Sequence, residues 1–100
     1  MKKSLFICAF FISFSAVAQY EDPTIELKRG QPKQVADLID RIVECNHWGG
    51  EEPYDAERAK EIHEAASELR CQYLESDEKR LLKRYPKSSK ALDDAKQLPL

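Results

Sequence analysis

The stretch PKQVADLIDRIVECNHWGG, from Pro32 to Gly50, carries the clearest helical pattern in the chain. Its apolar residues recur at intervals of three and four, which places them on one face of an α-helix. Proline suits the first helical position, and the two terminal glycines favour an end because glycine readily adopts a left-handed cap. We therefore predict an amphipathic helix from about Pro32 to Gly49, with a buried stripe of Val35, Leu38, Ile39, Ile42 and either Cys45 or Asn46.

Downstream of this helix, the apolar pattern predicts further helical segments. Asp55 is a favourable N-cap residue for a second helix. Its stripe consists of Ala59, Ile62, Ala66, Leu69 and Tyr73. A later stripe is rotated around the helix axis by roughly half a turn relative to the first. It consists of Cys71, Leu74, Leu81, Leu82 and Tyr85.

The change of phase leaves two alternatives for residues 54–85. One continuous helix would bury two opposite faces, whereas a break or kink near Ser76 would give two helices, and we favour the break. Pro86 ends the pattern, and one more short turn fits residues 91–97. Because no segment alternates as a strand does, we predict an all-α domain of two to four helices.

Residues 1–18, MKKSLFICAFFISFSAVA, are typical of a secretory signal peptide. Two lysines precede an apolar run, and Ala16-Val17-Ala18 matches a small-x-small cleavage signal. An uncleaved anchor is the alternative, although the run is short for a membrane-spanning helix. We predict a periplasmic or secreted protein with a single small domain at 19–100, of which 19–31 is an extended or poorly ordered lead-in.

The charge of the chain bears on its partners. Loss of Lys2 and Lys3 with the signal peptide changes the formal net charge from −2 to −4. This mild acidity argues against nucleic acid and against an anionic membrane as partners after signal cleavage.

Two cysteines remain in the predicted mature chain, Cys45 and Cys71. In an oxidising compartment such a pair predicts one disulfide, and two buried free thiols are the alternative. Closing a loop of about 27 residues would stabilise the domain by roughly 3.5 kcal/mol. A tight hairpin would separate the cysteines by about 20 Å along the second helix, whereas a disulfide needs Cα atoms about 4.4 to 6.8 Å apart. We therefore expect either a long connecting loop or strongly crossed helices.

The segment that follows Cys45 holds the residues that are candidates for binding. Trp48 and Tyr54 supply apolar area, and we expect Trp48 to be a packing residue first and a contact residue second. The same loop is acidic and would suit a basic partner such as a lysozyme. The candidate partner-binding residues are Trp48, Glu51, Glu52, Tyr54 and Asp55.

Metal binding and catalysis are the rival interpretations. His47, Glu51 and His63 are possible ligands, but their spacing matches no zinc pattern. Residue 67 is serine, so His63-Glu64 does not begin an H-E-x-x-H motif. The chain has no G-x-S-x-G sequence and no available thiol nucleophile. We expect no enzyme activity and no cofactor, and we keep a metal- or small-ligand-binding periplasmic protein as the alternative function.

A segment with Cys71, Glu78, Leu81 and Tyr85 resembles the small secreted bacterial proteins of the LprI-type lysozyme-inhibitor group. That group tends to have asparagine after the leucine, where this chain has Leu82. The stretch HWGGEEPYDAER resembles uncharacterised bacterial envelope proteins. The resemblance implies a secreted, non-enzymatic protein that binds a protein partner, such as a basic cell-wall hydrolase, and it transfers no inhibitory residues.

Overall fold

The computed structural model describes residues 22–99, and the predicted signal peptide lies outside them. Within this range the chain forms five α-helices, two short 3₁₀ turns and no strand, which confirms the all-α prediction. The number of helices is one above the predicted two to four, because a helix also forms before Gly30. The 3₁₀ turns are Cys71–Tyr73 and Pro86–Ser88. The helices are α1 (Pro23–Lys28), α2 (Lys33–Gly49), α3 (Ala56–Glu68), α4 (Leu74–Arg84) and α5 (Ser89–Lys96).

Helix α2 is the centre of the domain. Its predicted stripe is buried, with Cys45 and not Asn46 as the last buried residue, and Val35 and Ile39 are completely inaccessible to solvent. Gly50 follows the helix with φ −89°, so the cap is right-handed and the predicted left-handed conformation is wrong. Two residues of α5, Leu92 and Ala95, complete the buried cluster. The half-buried residues around it are Leu27, Val43, Leu74, Leu81, Leu82, Tyr85 and Ala91.

Helix α5 runs alongside α2 in the same direction. Near its start, the Ser88 hydroxyl donates a hydrogen bond of 2.7 Å to Gln31 Oε1. At its last residue, the carbonyl of Lys96 accepts a hydrogen bond of 3.3 Å from Asn46 Nδ2. The predicted short turn at 91–97 is thus a helix with two fully buried core residues.

Helix α4 runs in the opposite direction to α2. Its first residue, Leu74, lines a depression with Ile42 and Asn46. At the other end, the Tyr85 hydroxyl donates to Gln34 Oε1 at 3.4 Å. The apolar side of α4 therefore packs along α2 and places the rest of its surface in solvent.

Helix α1 occupies part of the predicted extended or poorly ordered lead-in, which is a correction to that expectation. Asp22 caps it, since its Oδ1 accepts hydrogen bonds from the Thr24 hydroxyl at 2.7 Å and from the Thr24 amide at 2.9 Å. These bonds hold the pKa of Asp22 below its ordinary value. Pro23 stands at the first helical position, where it fits without loss of a hydrogen bond. Lys28 then pairs with Asp40 of α2 at 3.0 Å.

The predicted break between the later helices exists, but it lies before Ser76. Helix α3 ends at Glu68, and Arg70 adopts the left-handed conformation with φ 56° and ψ 43°. Ser76 lies in the first turn of α4, where its hydroxyl donates to the carbonyl of Tyr73 at 3.1 Å. Residues 54–85 are therefore two helices joined by a left-handed turn.

Cys45 and Cys71 form the predicted disulfide, with Cα atoms 5.7 Å apart. The Arg41 side chain, one turn before Cys45, donates to the carbonyls of Leu69 at 2.8 Å and Arg70 at 3.0 Å. The left-handed turn at Arg70 redirects the chain, so that Cys71 reaches Cys45. Helix α3 thus meets α2 at its C-terminal end, whereas a tight hairpin would bring its first turn to that position.

The described helices also bear on membrane insertion. None of those between residues 22 and 99 is long and apolar enough to cross a bilayer.

Candidate functional site

Helix α3 is the element that carries most of the candidate site, and it lies outside the core. None of its residues is buried, and none belongs to the apolar cluster around α2. Ile62, Ala66 and Leu69 of the predicted stripe are partly covered, whereas Ala59 and Tyr73 are exposed. Because α3 buries so little, its position depends on a few specific contacts with the C-terminal half of α2.

Trp48 makes one of these contacts. It is half-buried in the last turn of α2 and lines a depression with Ala65 and Leu69 of α3. The Arg58 guanidinium lies 5.3 Å from the centre of the indole ring, and the His47 ring packs edge-on at 5.5 Å. The indole is therefore at the junction of α2 and α3, between the core and the surface.

Arg41 makes the second contact. Besides its bonds to the carbonyls of Leu69 and Arg70, it pairs with Asp77 of α4 at 2.9 Å. One side chain of α2 therefore holds the end of α3 and the beginning of α4. The disulfide lies beside it, so the two links act on the same few residues.

Most acidic side chains of the predicted loop form contacts within the protein. Glu51 pairs with Arg58 at 3.3 Å and lies 3.4 Å from His47 Nε2. Asp55 caps α3 as predicted, since its Oδ1 accepts from the Arg58 amide at 2.7 Å. Glu52 is exposed, and Tyr54 is 82% exposed. The loop thus leaves these last two side chains free for a partner.

Arg58 connects the loop to the helix. Its guanidinium bonds to Glu61 at 2.9 Å as well as to Glu51, and these two hydrogen bonds raise its pKa above the ordinary value. Its Nε is buried without a hydrogen-bond partner among the described residues. Arg58 is therefore a structural cation that links Glu51 of the loop to Glu61 of α3.

A row of glutamates on α3 is the feature that the sequence argument missed. At about 100° per residue these side chains fall within an arc of roughly 60° beside the face that contacts Trp48, and Glu68, at one end of the row, lines the same depression as Trp48. All four are exposed. The intervals of three and four between them are visible in the sequence, but they are obvious only once the other face is known to contact α2. The residues, which we call the acidic row, are Glu57, Glu61, Glu64 and Glu68.

The three residues of the metal alternative do not form one site. His47 and Glu51 are neighbours, whereas His63 is exposed on α3 rather than at the edge of a buried face. Across residues 22–99 no group of three or more histidine, cysteine or acidic side chains is arranged to hold a metal ion.

Comparison with known proteins does not assign the chain to a family. No protein-family model, curated protein or solved structure matches the chain.

The position of Trp48 leads to a prediction about stability. Replacement of Trp48 by alanine should lower the free energy of unfolding by about 2 kcal/mol, less than the 3–5 kcal/mol typical of a fully buried aromatic residue. The reason is that part of the indole surface is already in solvent. Chemical denaturation followed by circular dichroism measures the change.

Tyr54 provides the control for Trp48. It is a large aromatic residue nearby that is 82% exposed, so Tyr54→Ala should change stability by no more than about 0.5 kcal/mol. Equal effects of the two substitutions would contradict a packing role for Trp48.

Proposed function

We propose that this chain is a secreted, non-enzymatic protein of the bacterial envelope that acts by binding a basic protein. A lysozyme-like cell-wall hydrolase is the partner that we favour. The observation that carries the proposal is the acidic row on α3, which is exposed along its whole length beside a loop with one exposed aromatic residue.

The charge around the acidic row supports this choice of partner. Residues 44–68 contain eight acidic and two basic side chains, for a formal charge of −6. Both basic residues already have partners, since Arg58 pairs with Glu61 at 2.9 Å and Lys60 lies 3.9 Å from Glu64. A surface of this kind attracts a cationic protein from solution and accelerates the encounter.

The construction of α3 also suits surface recognition. It projects from the core and is held at its base by the disulfide and by Arg41. Such attachment fixes the direction of the helix without covering its outer face. Tyr54, at the start of the helix, is the kind of amphipathic side chain that is enriched at protein interfaces. The resemblance of the segment from Cys71 to Tyr85 to lysozyme-inhibitor proteins supports the same partner class.

The test is the loss of binding when the acidic row is neutralised. Replacement of Glu57, Glu61, Glu64 and Glu68 by glutamine should weaken binding to a cationic c-type lysozyme about tenfold, since each exposed ion pair contributes a few tenths of a kcal/mol. It should also flatten the salt dependence of the affinity. Calorimetry at two ionic strengths measures both effects, and hydrolysis of peptidoglycan reports inhibition.

A matched control removes four negative charges elsewhere. The quadruple variant E26Q/D37N/E75Q/D93N changes the net charge by the same amount at exposed positions on other helices. It should keep the affinity within about twofold. Equal losses in the two variants, or no binding by the parent protein at low salt, would contradict the proposal.

A further inference from the structure

The charges of this protein are separated along the chain. Residues 79–90, KRLLKRYPKSSK, contain six basic side chains and no acid. Ten residues separate them from the acidic segment 44–68, which includes α3. The net charge of the whole chain, −2, conceals this separation.

Helix α4 directs most of these cations into solvent. Its half-buried residues Leu81 and Leu82 pack against the core around α2. At about 100° per residue, the cations of the helix occupy an arc of roughly 140° on the other side. All of them are exposed, and they are Lys79, Arg80, Lys83 and Arg84.

Several of the cations have no acidic partner. Lys79, Arg80 and Lys90 are within 4 Å of a carboxylate about one turn away, at 3.8, 3.6 and 2.8 Å. In contrast, among residues 22–99 no carboxylate lies within 4.0 Å of a basic atom of Lys83, Arg84 or Lys87. Arg84 packs on the Tyr85 ring at 5.6 Å. We call Arg80, Lys83, Arg84 and Lys87 the basic end.

The basic end and α3 lie at opposite ends of α2. Tyr85 contacts Gln34 near the start of α2, whereas α3 contacts Trp48 in its last turn. These positions are roughly 20 Å apart at 1.5 Å per residue. The Debye length in physiological salt is about 8 Å, so the acidic row does not cancel the field of the basic end.

We infer that the basic end docks the protein onto the phosphate headgroups of an anionic lipid bilayer. The cations belong to α4 and to the turn that follows it, so they spread over a surface instead of converging on one point. Arg84 lies between two open clefts of about 360 and 380 Å³, one shared with Arg80 and the other with Lys87. Arginine presents a planar fork of donors that matches phosphate oxygens.

The contact is electrostatic and peripheral. The apolar residues of α4 are engaged in the core and do not insert into the hydrocarbon. The net charge of the protein disfavours an anionic membrane as a partner, but the local distribution of its charges favours one at the basic end. This inference concerns a different face from the acidic row and is independent of the proposed protein partner.

The experiment measures binding to vesicles. The protein is exported from its full sequence, purified from the periplasm, and its N-terminus is read by mass spectrometry. Co-sedimentation uses vesicles of phosphatidylglycerol and phosphatidylcholine, and vesicles of phosphatidylcholine alone. Since each cation near an anionic leaflet raises the binding constant about fivefold, the variant K83Q/R84Q/K87Q should bind anionic vesicles about a hundredfold more weakly.

A control variant loses the same number of positive charges elsewhere. R29Q/K60Q/R70Q alters three exposed cations on other parts of the surface, and it should stay within about threefold of the parent protein. Circular dichroism confirms that both variants are folded. Binding that disappears in high salt, and that the first variant alone abolishes, supports the inference.

Four results would overturn it. These are no binding to anionic vesicles at low salt, equal binding to phosphatidylcholine alone, equal losses in the two variants, and displacement by inorganic phosphate beyond that caused by chloride of the same ionic strength. The last result would assign a site for free phosphate. Sedimentation velocity without vesicles tests whether a second copy of the protein binds the basic end. Self-association that the first variant abolishes would show that the basic end binds the acidic row of another molecule instead of a membrane.

Discussion

Reduction of the Cys45–Cys71 bond is expected to lower the free energy of unfolding by about 3.5 kcal/mol. The bond closes a loop between positions 26 apart, and its main effect is to restrict the unfolded chain. A domain of this size is stable by only about 5–8 kcal/mol. Loss of the bond therefore removes roughly half of the stability, and urea denaturation with and without reductant measures it.

The same reduction should have a local effect on α3. The helix has no buried residue, and after reduction it keeps only the contacts with Trp48 and Arg41. Hydrogen exchange should therefore accelerate in residues 56–69 well below the global unfolding threshold, while the amides of α2 stay protected.

Two variants separate the bond from the side chains. Cys45→Ala/Cys71→Ser lacks the bond in any buffer, so reductant should not change its stability further. Unchanged stability of the parent protein after complete reduction would contradict the expectation. Uniform loss of protection in α2 and α3 would show that α3 belongs to the same cooperative unit as the core.

The parts of the fold that follow from local pattern were predictable. Five apolar residues at helical spacing identified α2 and its buried face. The predicted signal peptide and the two remaining cysteines led to the prediction of the disulfide. The side chain of Asp55 identified the start of α3. Each of these depends on residues close in sequence or on a simple count.

The turn between α3 and α4 was not predictable in this way. Arg70 adopts a left-handed conformation that is rare outside glycine, asparagine and aspartate. What holds it is the Arg41 side chain, which binds the carbonyls of residues 69 and 70 from another helix. No local signal marks a contact over this separation, and the phase change of the apolar stripe indicated only that a break exists.

The surface was predictable in composition but not in arrangement. The acidic residues in the loop after Trp48 were predicted to bind a partner. In the structure, however, Glu51 and Asp55 both form contacts with Arg58. The exposed row of acids is on α3, and cations without an acidic partner among residues 22–99 are at the far end of α2. Which carboxylate is left for a partner depends on the packing of neighbouring helices, and sequence composition does not contain that information.

Helix α5 contributes more to the stability of the fold than its short sequence signal indicates. Leu92 is completely buried against α2, although its segment was expected to form no more than a short turn. Leu92→Ala should lower the free energy of unfolding by about 3 kcal/mol, because it removes buried methyl groups and leaves a cavity that a rigid helix pair fills poorly. Denaturation midpoints measured by circular dichroism report the loss.

Leu98 provides a matched substitution for Leu92. It lies just beyond α5 and is half-buried, so Leu98→Ala removes the same atoms from a site that solvent already reaches. Its expected cost is about 1 kcal/mol, in proportion to the smaller area withdrawn from water. The difference between the two variants therefore isolates the contribution of α5 to the core. If Leu92→Ala were no more destabilising than Leu98→Ala, α5 would be a surface appendage, and α2 would have to bury its stripe against α1 and α4 alone.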